Sequence, residues 1–351
     1  MKLTSFKYFS HTLRFKDKFI NSREKFNERK VFILECKDSD GNKFFGEAAP
    51  LPNYSTETFI EVENELKKID SIFPMKIGFK FENILDQIKN ISLMPSVQYA
   101  MEQIFLSAYF KRNFELSHFP VLANNINVNG LLGIEDIESS KAKIQKFIED
   151  GFGTIKLKVG KENIDQLLTL LEWTEYNYNN SLKFRIDPNG AWTKDETSSH
   201  CNLLKSFPIE YVEQPVQDKY DLCDLSYNCS IPLAADESFR SLKDAKELMN
   251  NSDLKFLIVK PMLFGGFSQI LELQKLIEGT NIKIIISSSF ESNIGRRHLV
   301  LCSGLVNNNL AQGLNTSELF TNQPVDDAFP VSRGKVHFSI DKYISEIEIN
   351  S

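Results

Sequence analysis

The sequence predicts an α/β protein, a modified (β/α)8 barrel of the TIM type preceded by an α+β capping domain. Three observations lead there. Five short apolar runs, at residues 154–158, 184–187, 209–213, 232–236 and 256–260, each end on a charge: Lys158, Asp187, Glu213, Asp236 and Lys260. These ends recur at intervals of 29, 26, 23 and 24 residues, each fitting one βα unit. Between the runs lie stretches of helical period, such as Ile164, Leu167, Leu168 and Leu171, or Ile270, Leu273 and Ile277 after Lys260. Alternating strand and helix implies a parallel sheet.

The remaining elements follow along the chain. Residues 1–50 alternate as in an antiparallel sheet, with apolar runs at 31–36 and 43–46 flanking the turn signal Asp38-Ser-Asp-Gly41. After Gly46-Glu-Ala-Ala-Pro-Leu-Pro52, the Ser55–Thr58 stretch can cap a helix whose stripe is Phe59, Val62, Leu66 and Ile69. Pro95-Ser96 opens another helix, since a first-turn proline sacrifices no hydrogen bond. Residues 127–132 read as the first barrel strand, followed by a helix over 139–150 stopped by Gly151. Residues 283–289 and 310–314 supply strands seven and eight, and 334–340 one more strand outside the barrel. The expected division is a capping domain over 1–120, a barrel over 121–325, and a C-terminal segment, 326–351, that returns to the cap. A chain of 351 residues has room for this, because a barrel takes roughly 200 residues or more.

Composition narrows the function. A net charge of −6 with scattered basic residues argues against nucleic acid or an anionic membrane as partner. No run reaches the ~20 apolar residues that span a bilayer, and the N-terminus lacks an apolar signal core, so a cytoplasmic protein is expected. The cysteines, Cys36, Cys201, Cys223, Cys229 and Cys302, are odd in number without a CxxC pair, and read as reduced packing residues. His11, His118, His200, His298 and His337 form neither HxxxH nor HExxH, so none is a favoured catalyst. Gly265-Gly266 reads as a tight βα turn, and Arg296-Arg297 as a solvated helix face.

The chemistry lies in the strand ends. A charge at one strand end is usually solvated or salt-bridged, but in a barrel consecutive strands bring their carboxyl ends around one ring. Asp187, Glu213 and Asp236 then offer three carboxylates from adjacent strands, a donor set suited to Mg2+, with Mn2+ as an alternative. Lys156 and Lys158 share strand parity and point to the same face, while Lys260 approaches from the far side. The plainer alternative is that these lysines only balance the carboxylates. An amine beside a divalent cation loses its proton more readily and can act as a base on a carbon next to a carboxylate, generating an enediolate. A small-molecule carboxylate is the expected partner.

In order, Lys156-Leu-Lys158, Asp187-Pro-Asn189, Glu213-Gln-Pro215, Asp236-Glu237-Ser238 and Lys260-Pro261 resemble the motifs of the enolase superfamily, muconate-lactonizing subgroup, over nearly the whole chain. The resemblance implies Mg2+ on Asp187, Glu213 and Asp236, acid/base lysines at Lys158 and Lys260, and a capping-domain substrate loop over 46–55. Asn189 and Glu237 are expected to orient the ligands or the lysines, support that a metal site needs, with simple loop polarity as the duller alternative, and Lys156, by parity, is expected beside the substrate. Ser287-Ser-Ser-Phe-Glu-Ser-Asn-Ile-Gly295 and Gly313-Leu-Asn315-Thr316 are most similar to the o-succinylbenzoate synthases of the subgroup, dehydratases of menaquinone biosynthesis. Ser287, Ser288 and Ser289 are then expected to donate to a succinyl carboxylate, with Asn315 near it; small polar residues ending a strand are the duller alternative. Dipeptide epimerases of the subgroup carry Asp-x-Asp at the end of strand eight, and 313–317 has none, which disfavours an amine-bearing substrate. N-acylamino-acid racemase, dipeptide epimerase or cycloisomerase activity, and more remotely a non-catalytic barrel, are the alternatives on this scaffold. The sequence leaves the oligomeric state open.

Overall fold

A computed structural model describes residues 2–20, 25–78, 80–112, 119–120, 122–134, 136–160, 163–179, 181–306 and 308–350, without the side chains at 17–20, 25 and 26. His118 lies outside these residues, and the expected boundary near 120 falls at the edge of a stretch outside them. Strands β1 (Lys2–Ile20) and β2 (Lys25–Asp38) form a long antiparallel pair, and β3 (Lys43–Ala48) returns along β2. The β2–β3 turn is held by Asp38, whose carboxylate accepts from the backbone of Asp40 and Asn42, and by Gly41 at φ +85°. Helix α1 (Phe59–Ser71) starts with a capping box between Thr58 and Glu61, and the short β4 (Met75–Lys76) completes the sheet in the order β3-β2-β1-β4. Helices α2 (Phe81–Ile91) and α3 (Pro95–Arg112) follow. Helix α3 is buried along nearly its whole length because it packs on both sides. A Cβ at Gly46 of β3 would sit 2.2 Å from the Ala100 carbonyl, so only glycine admits this approach.

The second half is built of βα units: β5 (Asn125–Asn127), β6 (Gly130–Gly133), α4 (Ile137–Glu149), β7 (Thr154–Lys158), α5 (Ile164–Tyr178), β8 (Lys183–Asp187), α6 (Lys194–Leu204), β9 (Ile209–Glu213), α7 (Lys219–Ser226), β10 (Leu233–Ala235), α8 (Leu242–Asn251), β11 (Phe256–Val259), α9 (Pro261–Phe264), α10 (Phe267–Ile277), β12 (Lys283–Ile286) and α11 (Asn293–Val306). Strands β6 to β12 pair in sequence order into a seven-stranded parallel sheet. The sheet curls into a barrel whose expected eighth strand is reduced to a stitch. Gly313 donates to the Ile286 carbonyl (2.7 Å) on one side, and Asn129 donates to the Gln312 carbonyl (3.0 Å) on the other. A Cβ at Gly313 would lie 2.9 Å from the Ser287 hydroxyl, so the close approach again depends on glycine. The first strand expected over 127–132 is split into β5 and β6.

The C-terminal strand β13 (Lys335–His337) pairs antiparallel with β5, and helix α12 (Ile340–Tyr343) sets the Tyr343 ring 5.8 Å from Phe110 of α3. This tail corrects the expectation for Arg296-Arg297. Both are buried: Arg296 donates to Asp327 and to the Phe329 carbonyl (2.6 Å each), and Arg297 to carbonyls of the tail, including Ser345 at 2.9 Å. Helix α11 is covered on all sides, so its polar residues do not mark a wet face. Inside the barrel, Tyr211, Ala234, Phe256, Ile258 and Ile285 form a compact core. Beside it the fully buried Arg185 pairs with Glu210 (2.6 Å) and lies 5.0 Å from the Tyr211 ring centroid. Among the described residues no helix is long and apolar enough to cross a membrane.

Candidate active site

Parallel pairing in register sets Lys158 beside Asp187, and period two points Lys156 the same way as Lys158. The Lys158 ammonium donates to Asp187 Oδ2 (2.6 Å) and Asn189 Oδ1 (2.7 Å). Lys156 bridges Asp187 (2.7 Å) and Glu213 (2.6 Å). Across the ring Lys260, one residue beyond β11, is hydrogen-bonded to Asp236, one residue beyond β10. Asn189, held at φ +51°, donates to Glu237 (3.2 Å). These contacts form two groups, Lys156 and Lys158 with Asp187 and Glu213, and Lys260 with Asp236, and both groups border one cleft.

The carboxylates are almost wholly removed from water: Asp187 and Glu213 are 1% exposed and Asp236 is 2% exposed. Burial opposes the charge of Asp187, yet Lys156 and Lys158 outweigh it and hold that carboxyl well below the usual range. Asp236 is likewise held low against burial by Lys260 and Arg240. Glu213 goes the other way, pushed up to about 8 by burial and by the neighbouring Asp187 charge, which together exceed the pull of Lys156. Burial disfavours the Lys156 charge, but the two carboxylates it bridges raise its pKa well above the ordinary value.

Among the described residues no three acidic, histidine or cysteine side chains form a ready cage by themselves; lysine ammonium groups lie between the carboxylates. One atom still asks for a cation: Glu213 Oε2 is buried and accepts no hydrogen bond. That stranded oxygen suits a hard divalent ion, and Asp187 and Asp236, at the ends of the flanking strands, are the further carboxylates that could hold one.

Above the cluster a cleft opens to solvent, with Lys156 and Lys158 in its lining across from Lys260, and Asn189 and Asp236 beside them. The rest of its lining comes from the ends of strands seven and eight: Ser287, Ser288, Phe290, Gly313, Asn315 and Thr316. The three expected serine donors separate here. The Ser288 hydroxyl donates to Glu291 (2.6 Å) while accepting from Thr316 (2.9 Å) and the Phe290 backbone (2.9 Å), so its capacity is spent. Ser289 is buried and turned to Glu291 through both its hydroxyl (2.6 Å) and its backbone N–H. Among the described residues, Ser287 and Asn315 line this part of the cleft without a hydrogen bond to Glu291 or Ser288, and their polar groups face the space a ligand would fill.

Several contributors were not anticipated. Tyr54, from the loop after β3, reaches over the cleft, with its ring centroid 5.8 Å from the Lys260 ammonium and 5.6 Å from the Arg240 guanidinium. The loop is the 46–55 stretch expected to meet substrate, though no site signal singles out Tyr54 within it; it is placed by Arg29, which is buried and donates to the carbonyls of Ala49 and Pro50. Gln214, at φ +38°, accepts from the backbone N–H of Asp236 (3.1 Å) and Ser238 (3.0 Å), fixing the start of the loop after β10. Asn129 lines the floor, and its oxygen accepts from Arg185 (3.1 Å). Arg185 shares strand parity with Asp187, a signal in the sequence from which its inward direction could have been read.

Comparison with known proteins agrees with this architecture. A family model described as "Enolase C-terminal domain-like" matches residues 139–340. An o-succinylbenzoate synthase from Desulfotalea psychrophila is 24% identical over 316 residues, 81% of this chain and 86% of that protein. Among solved structures, a dipeptide epimerase from Enterococcus faecalis, complexed with Mg and the dipeptide L-Leu-L-Tyr, superposes with a TM-score of 0.84 at 21% identity, covering 97% of this chain and 98% of that one. A muconate lactonizing enzyme from Pseudomonas fluorescens superposes with a TM-score of 0.86 at 18% identity, covering 99% and 96%. With its curled parallel sheet, its antiparallel N-terminal sheet and the matched domain filling more than half its length, the chain belongs to the enolase superfamily of enzymes.

Proposed function

We propose that the protein is a Mg2+-dependent o-succinylbenzoate synthase, converting 2-succinyl-6-hydroxy-2,4-cyclohexadiene-1-carboxylate to 2-succinylbenzoate. The observation that carries this choice is the part of the cleft lined by the ends of strands seven and eight. Its lining residues, Ser287, Ser288, Phe290, Gly313, Asn315 and Thr316, include no acid, so a substrate ammonium would find no counter-charge there. A second carboxylate or carbonyl suits the Ser287 hydroxyl and Asn315 amide. In this scheme Lys158, in its amine form, accepts the α-proton, and Lys260 on the far side faces the developing negative charge as a cation. The electron pair released from the C–H bond forms a ring double bond as the C–O bond to the hydroxyl breaks, and hydroxide leaves with a proton as water. Mg2+, held by Asp187, Glu213 and Asp236, would supply positive charge for the enediolate. Asn189 and Glu237 orient Lys158 and its surroundings. Residues 1–120 act as the cap, and the segment 326–351 returns to it.

The test is direct: purified protein with Mg2+ and the cyclohexadiene acid should yield the aromatic product, and its absence under conditions where the protein is folded would sink the proposal. Lysines on both sides of the cleft also suit two-base racemisation of an N-acyl amino acid. Incorporation of solvent deuterium at the substrate α-carbon, with inversion and without dehydration of the cyclohexadiene acid, would favour that second activity.

A further inference from the structure

The cleft lining from the end of strand seven carries a conformational cost. Phe290 lies at φ +66°, the left-handed region that L side chains avoid and that a bulky aromatic rarely occupies. The other non-glycine residues with positive φ among the described residues are asparagines, Gln214 and Arg333. Such strain persists only where surroundings over-determine it, and here they do. Glu291, 1% exposed, accepts from the Ser288 hydroxyl and from the hydroxyl and N–H of Ser289; Ser288 in turn accepts from the Phe290 N–H and the Thr316 hydroxyl. The ring is steadied from the N-terminal sheet by Phe15, edge-on at 5.7 Å, which itself packs on Phe320 at 4.6 Å. Every contact keeps Phe290 where it lines the cleft.

We propose that Phe290 is a specificity-determining residue. Its ring is the face against which a planar ring carried by the substrate packs, and Glu291 is the positioning residue that holds it there through Ser288 and Ser289. Apolar contact from Leu131 and Tyr54 lines the same cleft, so the space beyond the lysines accepts a flat unsaturated ring better than a branched aliphatic chain. This deepens the dehydratase proposal and rests on it for the choice of ring ligand.

The experiment uses Phe290→Ala, Phe290→Gly and Phe290→Tyr in the full chain with Mg2+. Calorimetry measures affinity for 2-succinylbenzoate and for N-succinylalanine, which has no ring, and thermal unfolding is followed alongside. Alanine and glycine should each weaken 2-succinylbenzoate binding about tenfold and tyrosine less than about twofold, with N-succinylalanine changed less than about twofold by any of them. Phe290→Gly should melt about 2 °C above Phe290→Ala, because glycine alone accepts this backbone freely. Equal losses for both ligands, no loss for the ring ligand, or a glycine variant melting no higher than the alanine variant would each overturn the proposal. Turnover separates it from the proposed function. Ring-selective binding through Phe290 in a wild-type protein that fails to dehydrate the cyclohexadiene acid refutes the reaction and keeps the aromatic wall, whereas dehydration without ring selectivity does the reverse. A wild type that binds neither ligand refutes both.

Discussion

Glu213 offers a test of the site that needs no substrate. Its carboxyl is pushed up to about 8 from an ordinary 4.5, chiefly by burial and then by Asp187. The folded, metal-free protein therefore holds a proton that the unfolded chain releases between about pH 4.5 and 8. Stability linked to this group is fully present below the unfolded value and is lost as pH rises through the folded one. Each pH unit inside that window should cost about 1 kcal/mol, a few kcal/mol in all. Asp187 and Asp236, held low in the folded state, add no slope there, because their contribution is lost only at lower pH. Glu213→Gln, which mimics the protonated form, should remove the slope due to this residue. The assay is urea unfolding in chelator at pH 5.5, 6.5 and 7.5: wild type should lose about 1 kcal/mol per unit more than the variant. Saturating Mg2+ should rescue wild type at pH 7.5, by about 3 kcal/mol at a hundred times Kd, since a cation binds the ionised carboxylate. Parallel pH dependences for the two proteins, or no response to Mg2+, would refute a buried, cation-seeking Glu213.

Three other expectations follow from the same geometry. Lys158→Ala and Lys260→Ala should each lower kcat by at least about 10²-fold while circular dichroism stays native, because Asp187 keeps Lys156 at 2.7 Å and Asp236 keeps Arg240 at 3.9 Å; undiminished turnover would remove either lysine from the chemistry. Glu210→Ala strands the fully buried Arg185 guanidinium and should cost about 3–5 kcal/mol in urea unfolding, whereas an apolar pair, Arg185→Met with Glu210→Leu, should recover most of it; a single variant as stable as wild type would contradict the ion-pair account. Gly46→Ala must push β3 off α3, since its methyl carbon would meet the Ala100 carbonyl at 2.2 Å; a loss of about 1–3 kcal/mol or more is expected, and an unchanged melting temperature would show that the contact relaxes freely.

How much of this was legible depended on whether a pattern is local. The antiparallel hairpin closed by Asp38-Ser-Asp-Gly41 and the cap at Thr58 depend on residues a few positions apart, and they are found where expected. Arg296 and Arg297 were misread because exposure was inferred from polarity, while α11 is covered by α3, the barrel and the tail. Ser287, Ser288 and Ser289 form one polar run in the sequence. They lie just past the end of β12, and Glu291 claims the hydroxyls of Ser288 and Ser289, so only Ser287 of the run is left without a claim from Glu291. The eighth strand is reduced to two bridges, at Gln312 to Val128 and at Gly313 to Ser287, a shortening that no local pattern in 310–314 announces.

The sequence by itself determined the barrel and the set of charges at its rim, because strand period, helix period and the cost of ending an apolar run on a charge are all properties of neighbouring residues. Only the tertiary structure decided which charge holds which: that Lys156 bridges Asp187 and Glu213, that Glu213 keeps an unpaired oxygen, and that Tyr54 and Phe290 close the cleft. The reason is physical. Pairing and burial depend on distances of a few ångströms between groups separated by tens to hundreds of residues, and those distances exist only once the sheet has curled and the N-terminal segment has settled against it.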